Sequence, residues 1–361
     1  MRIEVKDRLT YRFWFCICTV IFLIGAVRVY SSSITGSIAG PEFKESLTIG
    51  IEEANTADQA PYQFASIANI DMDKEGNIYV LDFRDVCVKK FNKKGEFLGK
   101  ILKKGKGPKE ITNAFSFVIN PYSDTLFVLH EYGYLIKEVD LNGNFLANHR
   151  LPEQFFGYFE FINSNRLVFF SRVDKNGEEH LCFKILNIKT HTIERSFSPS
   201  IKDLEIYNKR FALTNGSLLT SHDDRMEILY FDVKSGKLAK TIKFPGDFKQ
   251  NFNKVVQEDR HSKRLQAIMY HYLQPLLFNQ ELYVLMTQMD YNHEHERSMS
   301  FPTNIDQKLF MIKGQDIYRV SNFKGFGGMK FARVRDNKVL VYADDPYPQL
   351  KVFEILPQSE Q

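Results

Sequence analysis

Short apolar runs separated by Gly, Asn and Asp recur along most of the chain. Residues 73–98 read DKEGNIYVLDFRDVCVKKFNKKGEFL and residues 121–146 read PYSDTLFVLHEYGYLIKEVDLNGNFL; the two align without a gap. Each holds a turn, an apolar strand (Ile78–Leu81 or Leu126–Leu129) and a polar break. A second strand then ends at Phe91-Asn92 or Val139-Asp140, a turn follows around Gly95 or Gly143, and a further strand starts at Phe97 or Phe145. Weaker copies follow, and Ile78, Leu126, Leu167, Leu218, Leu282 and Val339 mark the six. Apolar strands separated by such turns are a hairpin signal. A repeat of about 40–50 residues with four strands per unit is the pattern of a β-propeller. One four-stranded unit cannot bury both faces, so units stack around an axis. The expectation is an all-β fold: a six-bladed β-propeller of four-stranded antiparallel blades. A β-sandwich is the rival reading, and the gapless match of turn residues argues against it.

A ring must be closed, often by a strand from the other end of the chain. Ser46–Ile51 (SLTIGI) is the strand candidate before the first repeat and is expected to pair near Lys351–Leu356. That makes residues 43–361 one propeller domain and residues 31–42 (SSSITGSIAGPE) a flexible tether. Residues 251–272 break the repeat. Val255, Val256, Leu265, Ile268, Met269 and Tyr272 give a partial helical spacing, read as a short helix or lid-like insertion.

The amino terminus has a different pattern. Residues 13–27 (FWFCICTVIFLIGAV) carry no charge and follow a stretch with four basic and two acidic side chains. This predicts an N-terminal hydrophobic helix within residues 1–30. It is either a cleaved signal peptide or a transmembrane anchor that tethers the body to the membrane. In both readings the body is exported: it faces the periplasm from the inner membrane, or is periplasmic or secreted. Cys16 and Cys18 do not fit a lipidation site. Export permits a disulfide between Cys87 and Cys182, but two buried free thiols are the favoured reading.

Of the 361 residues, 43% are hydrophobic and 25% charged, which excludes a disordered chain. With 32 Phe and 17 Tyr, composition leans further towards β structure.

Three stretches carry a family likeness. Asp73-x-x-Gly-Asn-Ile-Tyr-Val-x-Asp82, Val88-Lys-Lys-Phe-Asn92-x-x-Gly95 and Gly105-Lys-Gly-Pro-Lys-Glu110 resemble bacterial six-bladed β-propeller proteins of the NHL/TolB-like kind. The resemblance is specific over residues 66–150 and implies a propeller in the cell envelope. That family's first interblade loop often reads Gly-x-Gly-Pro-Gly-Glu, and Lys109 stands here at its second-last position.

Charge is uneven. The chain is net +4, yet residues 89–109 hold nine lysines against Glu96 alone. Lys103, Lys104 and Lys106 are therefore candidate binding residues for an anionic glycan or an envelope protein; lysines that guard a blade edge are the plainer reading. Nucleic acid is not expected as a partner, because export keeps the body apart from it. Gly105-Lys-Gly107-Pro108 lacks the spacing of a phosphate loop and reads as a turn.

His293 and His295 are weak metal candidates, since two imidazoles do not complete a site. Asp82, Asp85, Asp223, Asp224, Asp344 and Asp345 follow apolar strands. They could hold a divalent cation such as calcium at the channel mouth, but turn formation explains them as well. No catalytic set is legible and no cofactor is predicted. The leading expectation is a monomeric exported propeller that acts as a ligand- or protein-binding, or scaffolding, module. The alternative is a metal-assisted hydrolase or lyase with its site at the channel mouth.

Overall fold

The computed structural model describes residues 28–31, 33–175, 178–197, 211–214, 216–222, 226–244, 268–291, 304–327, 329–343 and 346–356. They form six sheets, each built on four antiparallel strands, arranged as a propeller. Blade 1 is Ile67–Met72, Ile78–Asp82, Cys87–Phe91 and Phe97–Lys104, and blade 2 is Ser116–Asn120, Thr125–His130, Leu135–Asp140 and Phe145–Arg150. Blade 3 is Phe156–Asn163, Arg166–Lys175, Glu178–Asn187 and Thr192–Phe197, and blade 4 is Phe211–Thr214, Ser217–His222, Glu227–Asp232 and Leu238–Lys243. Blade 5 is Ile268–Phe278, Glu281–Tyr291, Asn304–Lys313 and Asp316–Val320, and blade 6 starts with Lys330–Arg335, Lys338–Ala343 and Gln349–Leu356.

The repeating turns have one chemistry. Asp73 Oδ1 accepts the amides of Glu75 and Asn77, Asn92 Oδ1 those of Lys94 and Glu96, and Asp140 Oδ1 those of Asn142 and Asn144. Each carboxylate or amide thus replaces the ladder where the chain reverses. Gly143 stands in such a turn at φ 80°, and a Cβ there would lie 2.3 Å from the carbonyl oxygen of Ile101. Only glycine allows that turn to pack against the neighbouring blade.

Both faces of each sheet are buried, which is why strands such as Ile78–Leu81 read as continuous apolar runs rather than alternating ones. Ile78 and Val80 pack towards blade 6, with Leu340 and Val352. Tyr79 and Leu81 pack towards blade 2, with Phe117 and Leu126. Similar clusters fill the seams between blades 2 and 3, 3 and 4, 4 and 5, and 5 and 6, so a core lies between every pair of neighbours.

Three amino-terminal strands wrap this ring: β1 (Arg28–Ser31), β2 (Ile34–Ile38) and β3 (Glu42–Ile49). β1 runs parallel to Leu238–Lys243 as a fifth strand of blade 4, and β2 runs parallel to Asp316–Val320 as a fifth strand of blade 5. β3 pairs antiparallel with Gln349–Leu356 and completes blade 6. The expected closure is therefore present, with Ile49 opposite Leu350 and Thr48 opposite Lys351. Ser321 and Asn322 fasten the strap: Ser321 donates to the Ile38 carbonyl, and Asn322 exchanges hydrogen bonds with the Gly40 backbone.

Two expectations need correction. Residues 31–42 are not a plain tether, because β2 lies within them. An outermost fifth strand needs ladder hydrogen bonds more than apolar side chains, so its polar sequence reads as linker. Residues 268–272, read as part of a helix, begin the first strand of blade 5; apolar residues at short spacing suit a strand as well as a helix. The rest of that insertion and the N-terminal hydrophobic segment up to residue 27 lie outside the described residues. So do His293, His295, Asp223, Asp224, Asp344 and Asp345. Cys87 and Cys182 are buried and not joined in a disulfide.

Candidate functional site

The first strand of each blade lies innermost, and in three of them polar residues alternate: Asn69-x-Asp71, Tyr158-x-Glu160 and Arg333-x-Arg335. Residues two apart share one face of a strand. Arg333 Nη1 lies 2.9 Å from both Asp71 Oδ2 and Glu160 Oε2. Arg335 places Nε 2.9 Å from Asp71 Oδ1 and Nη2 3.2 Å from Asp71 Oδ2. Blades 1, 3 and 6 can meet only on the axis, so this cluster marks it. The Tyr158 hydroxyl donates to Glu160 at 2.8 Å, and the Arg333 guanidinium lies over the Tyr158 ring.

The cluster is charge-balanced and desolvated. Asp71 is fully buried, which by itself would raise its pKa. The two guanidiniums, with hydrogen bonds from Arg335 and the Ile119 amide, outweigh that and hold it below the usual value. Arg335 responds in the opposite sense: burial disfavours its charge, but Asp71 and Glu160 hold the guanidinium protonated more firmly than usual. One deficit remains. Arg333 Nε and Nη2 are buried and have no hydrogen-bond partner. A buried orphan donor costs about 1–3 kcal/mol.

Above this cluster is a cavity of about 660 Å³. Tyr158, Glu160, Arg333 and Arg335 form its polar side, and Phe161, Ala212, Leu213 and Leu276 are among its apolar walls. Tyr122, Thr214 and Gln280 also line it. These three stand at the turns between the first and second strands of blades 2, 4 and 5, which places the mouth on that face of the ring. Its size suits a small organic ligand.

Lys103, Lys104 and Lys106 are exposed, on or next to the connection from blade 1 to blade 2. In four-stranded antiparallel blades, such a connection lies on the face opposite the first turns. The lysines therefore do not approach the cavity mouth. The loop that carries them is built internally: Glu110 accepts the Gly107 amide at 2.8 Å and pairs with Lys103 at 3.6 Å, and Lys137 donates to the Gly107 and Glu110 carbonyls. This gives the Gly-x-Gly-Pro-x-Glu pattern a structural role. Lys89 is not a surface residue; it is 1% exposed, pairs with Asp82 at 3.3 Å and donates to the Gln63 carbonyl.

Asp82, Asp85 and Cys87 come together in blade 1 as a potential metal group. Their chemistry does not fit a cation. Asp82 already accepts the amides of Ala65 and Ser66 and the Lys89 ammonium. Burial, first, pushes the Cys87 thiol up to about 11, so it keeps its proton. Asp82 thus acts as a turn and strand-end acceptor, the plainer of its two sequence readings.

Residues 55–209 match the family model described as a six-bladed β-propeller, DUF5128. The chain is a six-bladed β-propeller. No curated protein matches its sequence. Among solved structures, a Bacteroides fragilis protein described as exported superposes with a TM-score of 0.56 at 11% identity, covering 92% of this propeller and 100% of that chain. A DUF4221 member from Bacteroides vulgatus gives a TM-score of 0.56 at 11% identity, covering 87% and 98%. At that identity the likeness is one of fold.

The cavity residues were legible only as period-two polar positions in the first strand of a repeat. Nothing local in the sequence linked Asp71 to Arg333.

Proposed function

We propose that this chain is an exported propeller that binds a small ligand in its axial cavity. The cavity of about 660 Å³ at the centre of the ring, with Tyr158, Glu160, Arg333 and Arg335 on its polar side, carries the reading. Export is supported by the charged-then-apolar amino terminus and by the described export of the Bacteroides fragilis protein.

The metal-assisted hydrolase or lyase is less well supported. It needs several oxygen or nitrogen donors facing a cation, whereas Asp71 and Glu160 both face arginines. A second binding surface for an anionic glycan or envelope protein is supported by the exposure of Lys103, Lys104 and Lys106 on the other face.

The test is a thermal-shift screen of small metabolites on the full chain and on Thr214→Trp, which places a large ring at the exposed mouth. Ligands are expected to raise the Tm of the parent and not of the variant. Equal shifts in both would overturn the cavity as the site. An alkaline phosphatase fusion to the carboxyl terminus, active only outside the cytoplasm, tests export; an inactive but intact fusion would overturn it.

A further inference from the structure

The face opposite the cavity mouth carries the turns between the second and third strands, residues 83–86 in blade 1 and 131–134 in blade 2. These two turns flank the connection that joins the blades. On one side of it the Phe83 and Phe115 rings meet at 6.3 Å, and on the other the Glu131 amide donates to the Thr112 carbonyl at 3.0 Å. Lys104 lies opposite Ile111, the residue before Thr112. The lysine loop and the 131–134 turn are therefore neighbours. Phe83, Tyr132 and Tyr134 are 43%, 61% and 47% exposed, and Lys104 and Lys106 are exposed beside them.

The tyrosine turn is not the one that folding alone would select. Glu131 has φ 50° and Tyr132 φ 56°, in the left-handed region that residues with a Cβ rarely adopt. Glycine would sit there without strain. The surroundings hold the turn in place. Gln154 Nε2 donates to the Tyr132 carbonyl at 2.6 Å, the Phe155 amide to the Gly133 carbonyl at 2.9 Å, and the Leu151 amide to the Tyr134 carbonyl at 2.9 Å. A strained backbone that its neighbours fix, carrying a large ring in solvent, suits recognition rather than packing.

Charge and shape define the partner. Asp85 and Glu110 pair with Lys100 and Lys103, which leaves Arg84, Lys104, Lys106 and Lys109 against Glu131. That excess attracts an anion. Aromatic rings on a fixed turn suit a flat partner with an apolar face. An acidic peptide fits less well, because peptides are held by strand addition, by a groove or by arginine clusters. Here the carbonyls of Glu131, Tyr132, Gly133 and Tyr134 are all bonded within the fold, and most of the cations are lysines. An acidic sugar chain carries both features in each unit: an apolar ring face, and a carboxylate or sulfate.

We propose that this face binds an anionic polysaccharide. Its sugar rings lie on Tyr132 and Tyr134, and its carboxylates or sulfates lie beside Lys104 and Lys106. The proposal rests on the lysine face being a binding surface, and adds the tyrosine turn as the part that recognises sugar.

The test is calorimetric titration of the full chain with polygalacturonate and dextran sulfate. Dextran is the neutral counterpart, and polyglutamate and single-stranded oligo(dT) are the rival polyanions. At least one acidic polysaccharide is expected to bind, more weakly as salt rises. Tyr132→Gly fits the left-handed backbone and removes the ring; it should weaken binding about tenfold and leave the Tm unchanged or higher. Tyr134→Ala should weaken binding about as much. Lys104→Glu together with Lys106→Glu should abolish it. Equal binding of dextran would overturn the proposal, as would tighter binding of polyglutamate or oligo(dT) than of both acidic polysaccharides. If the lysine reversal abolishes binding but both tyrosine variants keep full affinity, the sugar-recognising turn is overturned and the lysine surface stands. If neither acidic polysaccharide binds, both fail. Should Tyr132→Gly lower the Tm, Tyr134→Ala decides, and full affinity there overturns the proposal.

Discussion

Asp71 and Arg335 lie 264 positions apart and join through two hydrogen bonds, Nε to Oδ1 at 2.9 Å and Nη2 to Oδ2 at 3.2 Å. The first blade is thereby bound to the last at the centre of the ring, a seam that β3 also closes at its rim.

Removing Asp71 leaves two guanidiniums buried near Glu160 alone. Asp71→Ala is expected to cost about 3–5 kcal/mol, read as a lower urea midpoint. The effect depends on pH. Because the folded carboxyl is held below its ordinary value, the stabilisation is complete above roughly pH 3.9 and is lost as pH falls through the lower folded value. Asp71→Asn should therefore show a flatter stability profile in acid than the parent; parallel profiles would contradict the assigned charge state.

His130 acts over a milder range. It is 3% exposed, and neither ring nitrogen has a hydrogen-bond partner. Burial, and then the Lys137 ammonium, lower its pKa from 6.5 to about 4. Between those values the unfolded chain takes up a proton that the folded chain refuses. Stability should fall as pH drops from 6.5 to 4, by up to about 3 kcal/mol in total. His130→Leu should remove that part of the slope, measured by urea unfolding at successive pH values.

The two kinds of lysine in residues 89–109 should behave differently. Lys89→Ala strands buried Asp82 without its cation and is expected to cost about 3 kcal/mol or more. Reversing Lys103, Lys104 and Lys106 to Glu should change stability by only about 0.5 kcal/mol each. If their face binds an anionic partner, the same reversal should abolish salt-sensitive retention on a sulfated polysaccharide resin.

The strap gives a fourth prediction. A chain starting at residue 41 keeps β3 and should fold, but the outer edges of blades 4 and 5 lie open; increased self-association by light scattering is expected. A chain starting at residue 51 lacks the fourth strand of blade 6 and should lose the cooperative unfolding transition.

What the sequence revealed depended on distance along the chain. Blades 1 and 2 were legible because their turns use local chemistry: Asp73, Asn92 and Asp140 each hold amides two and four residues on. β3 was legible because closure requires a strand and SLTIGI has the composition of one. β2 was not, since ITGSI carries little apolar signal and its partner lies about 280 residues away. The axial cluster was hidden for the same reason. Asn69-x-Asp71 and Arg333-x-Arg335 look like ordinary polar alternation until the ring brings them together.

The strap also sets an order of events. β1, β2 and β3 leave the ribosome before any blade exists, yet their partners are Leu238–Lys243, Asp316–Val320 and Gln349–Leu356. At about 5–20 residues per second, β3 waits on the order of 15–60 s for its partner strand. The ring can therefore close only after its last strand has been made, and contacts of such long range fold slowly. The polar composition of SSSITGSIAGPE, misleading as a sign of linker, suits a segment that must stay unpaired in water until then.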